Sequence, residues 1–170
     1  MKQGGRFTPT PAQLAVVALL RTADRVQTFL AKVIEPQGIT GQQYNVLRIL
    51  RGAGPEGLPM LSIADRMIER TPGITRMIDR LEARKLVVRE RRAGDRRCIH
   101  SRITPKGLAI LKRLDRPVEE ATRRTVAALK THELQQVVLL LERIRMAREE
   151  PCGTSPAHGP HATPRNHNPR

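Results

Sequence analysis

The sequence has no tryptophan, one tyrosine and two phenylalanines, so aromatic residues fill only 2% of its 170 positions. Sheet sandwiches draw heavily on aromatic and β-branched side chains. Here Leu, Ile, Val, Ala and Met carry the apolar load, which points to packed helices and away from an all-β fold. Long hydrophobic runs are missing as well. No stretch approaches the roughly 20 apolar residues that cross a bilayer, and the segment MKQGGRFTPTPAQ lacks the apolar core of a signal peptide, so a cytoplasmic protein is expected. Cysteine is scarce: Cys98 and Cys152 are too few for a disulfide framework and fit a reducing compartment. There is no Gly-rich phosphate loop, no nucleophile elbow and no paired metal-ligand motif, so neither an enzyme nor a cofactor is expected.

Acid is in short supply relative to base. Lys and Arg number 31 against 16 Asp and Glu, for a formal net charge of +15. A polyanionic partner is the usual reason a soluble chain tolerates such self-repulsion, which makes nucleic acid the expected partner. With 39% apolar residues the chain is long enough for one ordinary domain, and one compact unit is expected. Residues 1–10 and 149–170 show no apolar period and are rich in Gly, Pro, Thr, His and Asn; they read as a flexible N-terminus and a disordered tail.

Between them helix starts are well marked. Thr10-Pro11, Thr71-Pro72 and Thr104-Pro105 each place an N-cap hydroxyl before a proline whose missing N–H costs nothing there, and Thr40-x-x-Gln43 is a capping-box pattern. From Pro11, the residues Val16, Leu19, Leu20, Ala23, Val26, Leu30 and Val33 recur at helical spacing until Glu35-Pro36-Gln37-Gly38. A second helix after Thr40 turns Tyr44, Leu47 and Leu50 inward and ends at GAGPEG. A short helix over Leu61–Met67, a turn at Glu69-Arg70-Thr71 and a helix from Pro72 to about Arg84 form a helix-turn-helix pattern. Leu86-Val87-Val88 and Ile99-x-Ser101-x-Ile103 then flank Ala93-Gly94-Asp95, predicting a two-stranded hairpin. A helix from Pro105 runs through Leu108, Leu111 and Leu114 to Pro117, where a kink or restart is expected. The last helix, from about His132 to Arg148, carries Leu134, Val137, Val138, Leu141 and Ile144 on one stripe. Leu139 and Leu140 lie off that stripe, more apolar surface than one face of a single domain needs.

On the helix after Thr71, Ile74, Met77, Ile78 and Leu81 form one face, and Pro72, Thr75, Arg76, Asp79 and Arg80 the other. Alone, that second face reads as an ordinary solvated surface. Its neighbour changes the balance: Arg89, Arg91, Arg92, Arg96 and Arg97 crowd the hairpin, and from Asp65 to Lys106 there are 13 Lys or Arg against 6 Asp or Glu. A recognition helix fits the major groove, and an arginine-tipped hairpin reaches the negative potential of the adjacent minor groove. Asp95, two residues before Arg97, is placed to hold that guanidinium in one rotamer and lower the entropy cost of inserting it; a plain turn-forming role is the alternative.

The stretch TPGITRMIDRLEARKLVVRERRAGDRRCIHSRITPKG, Thr71 to Gly107, resembles the MarR family of bacterial winged helix-turn-helix transcription regulators. The shared pattern is Thr75-Arg76, Leu81-Glu82, Leu86-Val87, Asp95-Arg96-Arg97 and Ile103-Thr104-Pro105-Lys106-Gly107. Lys85 stands where the family often has Gly, and Ile103 where it usually has Leu. The resemblance implies a mainly α fold with a small β-hairpin wing (α+β). It would span 11–148, with dimerisation helices about 11–34 and 105–148 around a winged helix-turn-helix domain about 40–104. It further implies a homodimeric, sequence-specific DNA-binding transcriptional regulator, a repressor, on a pseudo-palindromic operator of double-stranded DNA. Thr75, Arg76 and Arg80 would meet the major groove and Arg97, oriented by Asp95, the minor groove, with Thr71, Gly73, Arg91, Arg92 and Arg96 completing the DNA-binding set. A small-molecule effector between the dimerisation helices and the winged domain is part of the family's habit; Tyr44 and Arg25 are the polar residues that would line such a cleft, although Tyr44 also reads as a core residue.

Three other readings stand beside this one. An architectural winged helix protein would bind nucleic acid by charge alone, without sequence choice. A cysteine-based redox-sensing regulator would use Cys98, whose arginine neighbours favour the thiolate, against its being an incidental small residue. Metal sensing would use His158, His161 and His167, but a Pro- and Gly-rich tail does not hold ligands in fixed geometry.

Overall fold

The computed structural model describes residues 8–68, 73–92 and 95–147, with backbone alone at residues 92 and 95–98. The elements in chain order are α1 (Pro11–Ile34), α2 (Gly41–Ala53), β1 (Leu58–Pro59), α3 (Met60–Arg66), α4 (Ile74–Ala83), β2 (Val87–Arg92), β3 (Asp95–Ile103), α5 (Pro105–Thr125) and α6 (Thr131–Met146), with 3-10 turns at Glu35–Gln37 and Gly54–Glu56.

Local chemistry sets most of the helix starts. Thr10 and Thr40 close full capping boxes: each hydroxyl accepts from the backbone N–H three residues on, and Gln13 and Gln43 reach back to the cap N–H groups. Thr104 caps α5 ahead of Pro105 in the same sense, accepting from the Gly107 N–H at 3.1 Å. The fourth expected start is corrected. α4 begins at Ile74, and its N-cap is Gly73 at φ 105°, not Thr71; no side chain caps it. Thr71 itself lies outside the described residues.

The core is helical with one sheet strand against it. Val46, Leu47 and Leu50 of α2, Ile63 of α3, Ile78 and Leu81 of α4, Val87 of β2 and Leu111 and Leu114 of α5 are all essentially inaccessible to water. Burying a side chain of this size stabilises by about 1.5–3 kcal/mol, which is how α3 and α4, too short to stand alone, hold their form.

Three further expectations change. The wing is a three-stranded antiparallel sheet of order β1-β3-β2, not a two-stranded hairpin. The added strand pairs Leu58 with Ser101 and Pro59 with His100. It gets that close because of Gly57, at φ 62°, where a Cβ would stand 2.4 Å from the Ser101 carbonyl oxygen. Second, α5 runs unbroken through Pro117. The helix therefore does not restart there: the proline removes one helical hydrogen bond, but Leu114 before it and Val118 and Ala121 after it are buried, and that packing carries the helix across the gap. Third, the chain divides into two compact units between Ala127 and Ala128 instead of forming one. In the second unit α6 buries none of its residues: Val138, Leu139, Leu140 and Ile144 are all exposed. In the first unit the N-terminal part of α1 is likewise uncovered at Leu14, Val16 and Leu20.

Candidate nucleic-acid interface

The recognition-helix candidate is α4. Met77, Ile78 and Leu81 are buried and Ile74 partly so, while Thr75, Arg76, Asp79 and Arg80 are exposed. The helix is therefore bolted to the core along one side and presents charge along the other. Arg76 and Arg80 form no ion pair or hydrogen bond among the described residues, and each carries five N–H donors that a ligand can use. Thr75 differs: its hydroxyl donates to the Met60 sulfur on α3 at 3.1 Å. Gly73 at the helix start has open space where a Cβ would be, and its left-handed φ explains the residue type.

The C-terminal end of α4 is tied at several points. The Leu86 N–H donates to the Leu81 carbonyl across a turn in which Lys85 takes φ 60°. Arg84 reaches back to the Gly38 carbonyl between α1 and α2, Lys106 Nζ donates to the Arg84 carbonyl at 3.1 Å, and the Thr104 hydroxyl donates to the Lys85 carbonyl. Lys85 thus adopts the conformation that the family pattern reserves for glycine, and neighbours fix it there.

The wing's arginines divide into two groups that charge counting merges. Arg89 is engaged by Asp79 and Glu82 of α4, and Arg102 by Glu90 at 2.6 Å, so neither adds a free positive charge. Arg91, opposite Ile99, is exposed and unpaired among the described residues. The backbone pairs Arg92 with Asp95 after an irregularity between Arg91 and Arg92, which turns the last strand residues relative to those before. The side chains of Arg92, Asp95, Arg96, Arg97 and Cys98 lie outside the described residues, as do the histidines of the tail. The His100 ring pairs with the Glu56 carbonyl at 3.1 Å, linking wing strand β3 to the turn before β1.

Sequence reasoning missed the second role of the acids on α4. Asp79 and Glu82 are three residues apart on the exposed flank, and that spacing was the signal that one arginine of the wing would be held rather than offered.

Two cavities of the first unit bear on the expected effector cleft. One, of about 520 Å³, lies among α1, α2 and α5, with Leu30, Ile34 and Val118 as apolar wall and Gln27, Tyr44, Asn45, Arg48 and Thr122 as polar groups. The Arg48 guanidinium sits 5.8 Å from the centre of the Tyr44 ring. Burial pushes the Tyr44 phenol above its ordinary value, partly offset by the Arg48 charge. Tyr44 is thus both core residue and cavity wall. Arg25 is not its partner: it lines a separate cavity of about 740 Å³ with Arg21, Lys32 and Arg124. Among the described residues no helix is long and apolar enough to cross a membrane, and no three His, Cys, Asp or Glu gather as a metal site.

The sequence profile of the MarR family matches residues 39–99. A MarR transcription factor from Planctomyces limnophilus, known as a crystal structure, is 39% identical with a TM-score of 0.61, over 81% of this chain and 99% of that one. The homoprotocatechuate degradative operon repressor of Escherichia coli is 28% identical over 126 residues, 74% of this chain and 84% of that protein. BpsR of Bordetella bronchiseptica, solved in a study of the regulation of its DNA binding by 6-hydroxynicotinic acid, is 26% identical with a TM-score of 0.68, over 78% of this chain and 98% of that one.

Proposed function

The chain belongs to the MarR family of winged helix-turn-helix, DNA-binding transcription regulators, and from that premise we propose that it is a homodimeric, sequence-specific repressor reading an inverted repeat. The observation that carries the proposal is the pair Arg76 and Arg80, exposed and unengaged among the described residues, on a helix whose opposite side is locked in the core. Guanidiniums in that setting reach guanine edges in the major groove, with Thr75 beside them. Gly73, at the helix start, lets phosphate approach the backbone, and Thr71 belongs to the same DNA-binding set. Arg91, Arg92, Arg96 and Arg97 serve the wing in the minor groove, Asp95 orienting Arg97. A binder without sequence choice would need only phosphate contacts and would have no use for side chains aimed at base edges.

Dimerisation rests on the helices about 11–34 and 105–148. The uncovered apolar residues of α1 and, separately, of α6 are the kind of surface a soluble chain covers with a partner. Repression is supported by the Escherichia coli relative, an operon repressor. The cavity with Tyr44 and Arg48 suits a small aromatic anion: apolar walls for the ring and one cation for the carboxylate. The regulation of BpsR by 6-hydroxynicotinic acid supports that class of effector.

Selection of bound duplexes from a random library at near-physiological salt tests the function. Enrichment of an inverted repeat with half-sites about one helical turn apart is expected. Salt-sensitive binding without any enriched sequence would return the chain to an architectural role.

A further inference from the structure

Arg89 belongs to the arginine-rich wing by sequence and to the recognition helix by contact. Its backbone N–H donates to Glu82 Oε1 at 3.1 Å. One terminal guanidinium nitrogen, Nη2, donates to the Asp79 carboxylate and, at 3.4 Å, to the Thr75 carbonyl, while Nη1 lies 3.4 Å from Glu82 Oε2. The side chain is only 23% exposed, and its Nε is buried with no hydrogen-bond partner among the described residues. This guanidinium is held against α4 by three of its residues.

The three groups it holds belong to one side of the helix. At about 100° per residue, Thr75, Asp79 and Glu82 fall within an arc of roughly 60°, and Arg76 and Arg80 occupy the adjoining arc. A single contact would let α4 roll about its axis. Grips at Thr75, Asp79 and Glu82, spread over two turns, resist both roll and tilt. At the other end of the clamp, β2 is laddered to β3 with Arg89 opposite Ser101. The clamp therefore sets where the free arginines of the helix stand relative to the wing, a spacing that must match the step from a major to a minor groove.

We propose that Arg89, through Asp79 and Glu82, is the positioning residue of the DNA interface, governing sequence discrimination without contacting DNA. The proposal rests on the function given above. A wing arginine that instead bound phosphate would behave differently. A phosphate ligand adds affinity to every duplex alike and contributes to the salt dependence. A positioning residue leaves affinity for arbitrary DNA alone and weakens only the preferred site, because misplaced arginines still find phosphates but no longer find base edges.

The test is a double-mutant cycle on the full chain with Asp79→Asn, Arg89→Gln and both together. Binding is measured across a salt series to the selected operator and to a scrambled duplex of equal length, well below the melting temperature. Each single substitution should lower the operator-to-scrambled affinity ratio roughly tenfold, the size of one lost base pair of discrimination. The double variant should lose no more than either single one, as expected when two residues act as one unit. The scrambled duplex should keep its affinity and salt slope. Equal weakening on both duplexes for Arg89→Gln, equal tightening on both for Asp79→Asn, losses that multiply in the double variant, or an unchanged ratio would each overturn the proposal. Glu82→Gln, on the other arm of the clamp, replaces Arg89→Gln if that variant does not fold. A wild-type chain with no preferred sequence would overturn the functional reading as well, whereas a wild type with an operator and variants that keep its ratio would overturn this inference alone.

Discussion

The Thr104 hydroxyl donates to the Lys85 carbonyl at 2.7 Å while accepting from the Gly107 N–H, so one side chain both caps α5 and holds the turn that ends the recognition helix. Lys85 is the one non-glycine residue with positive φ among the described residues, and this contact is part of what keeps it there. The C-terminus of α4 is thereby built into the start of the next long helix, and its position is set by the core instead of by its own short length.

Lys85→Gly should stabilise the chain. A left-handed residue with a Cβ costs about 1–2 kcal/mol, and a glycine gives back about 0.4–1 kcal/mol through its freer unfolded chain. A net gain of about 0.5–1 kcal/mol is expected in urea denaturation at unchanged m value. A loss of stability would mean that the lysine side chain contributes more than its backbone costs.

Gly57→Ala should do the opposite. The new Cβ would meet the Ser101 carbonyl oxygen at 2.4 Å in a backbone at φ 62°, so β1 must separate from β3 or the turn must rearrange. A cost of about 2 kcal/mol or more is expected, with faster amide exchange at the Leu58–Ser101 pair. Wild-type stability would show that β1 adds little to the wing.

Arg76→Ala and Arg91→Ala should separate base reading from phosphate binding. The first is expected to cost about 1–3 kcal/mol on the selected operator and to relax its sequence preference. The second should weaken all duplexes alike and reduce the salt slope by about 0.9. Intact specificity in Arg76→Ala would remove α4 from its assigned role. Asp95→Ala should reproduce part of the Arg97→Ala defect; if it is harmless, Asp95 is a turn former only.

Tyr44 is the one tyrosine of the chain, so phenolate absorbance reports it alone. Burial raises its pKa above the ordinary 10.0. The folded chain then binds this proton more tightly than the unfolded chain. The associated stability is complete below pH 10 and is lost as pH rises through the folded value. Alkaline titration should show ionisation beginning later in native protein than in urea. Coincident curves would place Tyr44 in water. If a carboxylate-bearing aromatic ligand fills the cavity, Arg48→Ala should weaken it about tenfold or more with little effect on DNA binding by the ligand-free protein.

Leu140→Asp places a charge on an α6 residue that is 54% exposed in the single chain. A monomer fold would tolerate it, but a dimer interface would not. Sedimentation should show the wild type as a dimer and the variant as a monomer at micromolar concentration. A variant that stays dimeric would move the interface elsewhere.

Much of this molecule is written in short-range signals. The threonine and glutamine at Thr10-Gln13 and Thr40-Gln43, and the threonine before Pro105, act within three residues of themselves, so their helix starts follow from the sequence alone. So do the two sides of α4, because burial of Met77, Ile78 and Leu81 obeys helical period. The resemblance in the Thr71–Gly107 stretch likewise carried the family. What sequence could not supply depended on atoms distant along the chain. β1 exists because Gly57 lets its backbone approach a strand more than forty residues later. α5 crosses Pro117 because side chains on both sides are packed against other helices. Above all, sequence determined that the wing is rich in arginine, whereas only tertiary structure decided which arginines are held: among the described residues Arg91 pairs with no acid, and Arg89 pairs with two, delivered by a different element. Charge is a property of composition, but its availability to DNA is a property of distance.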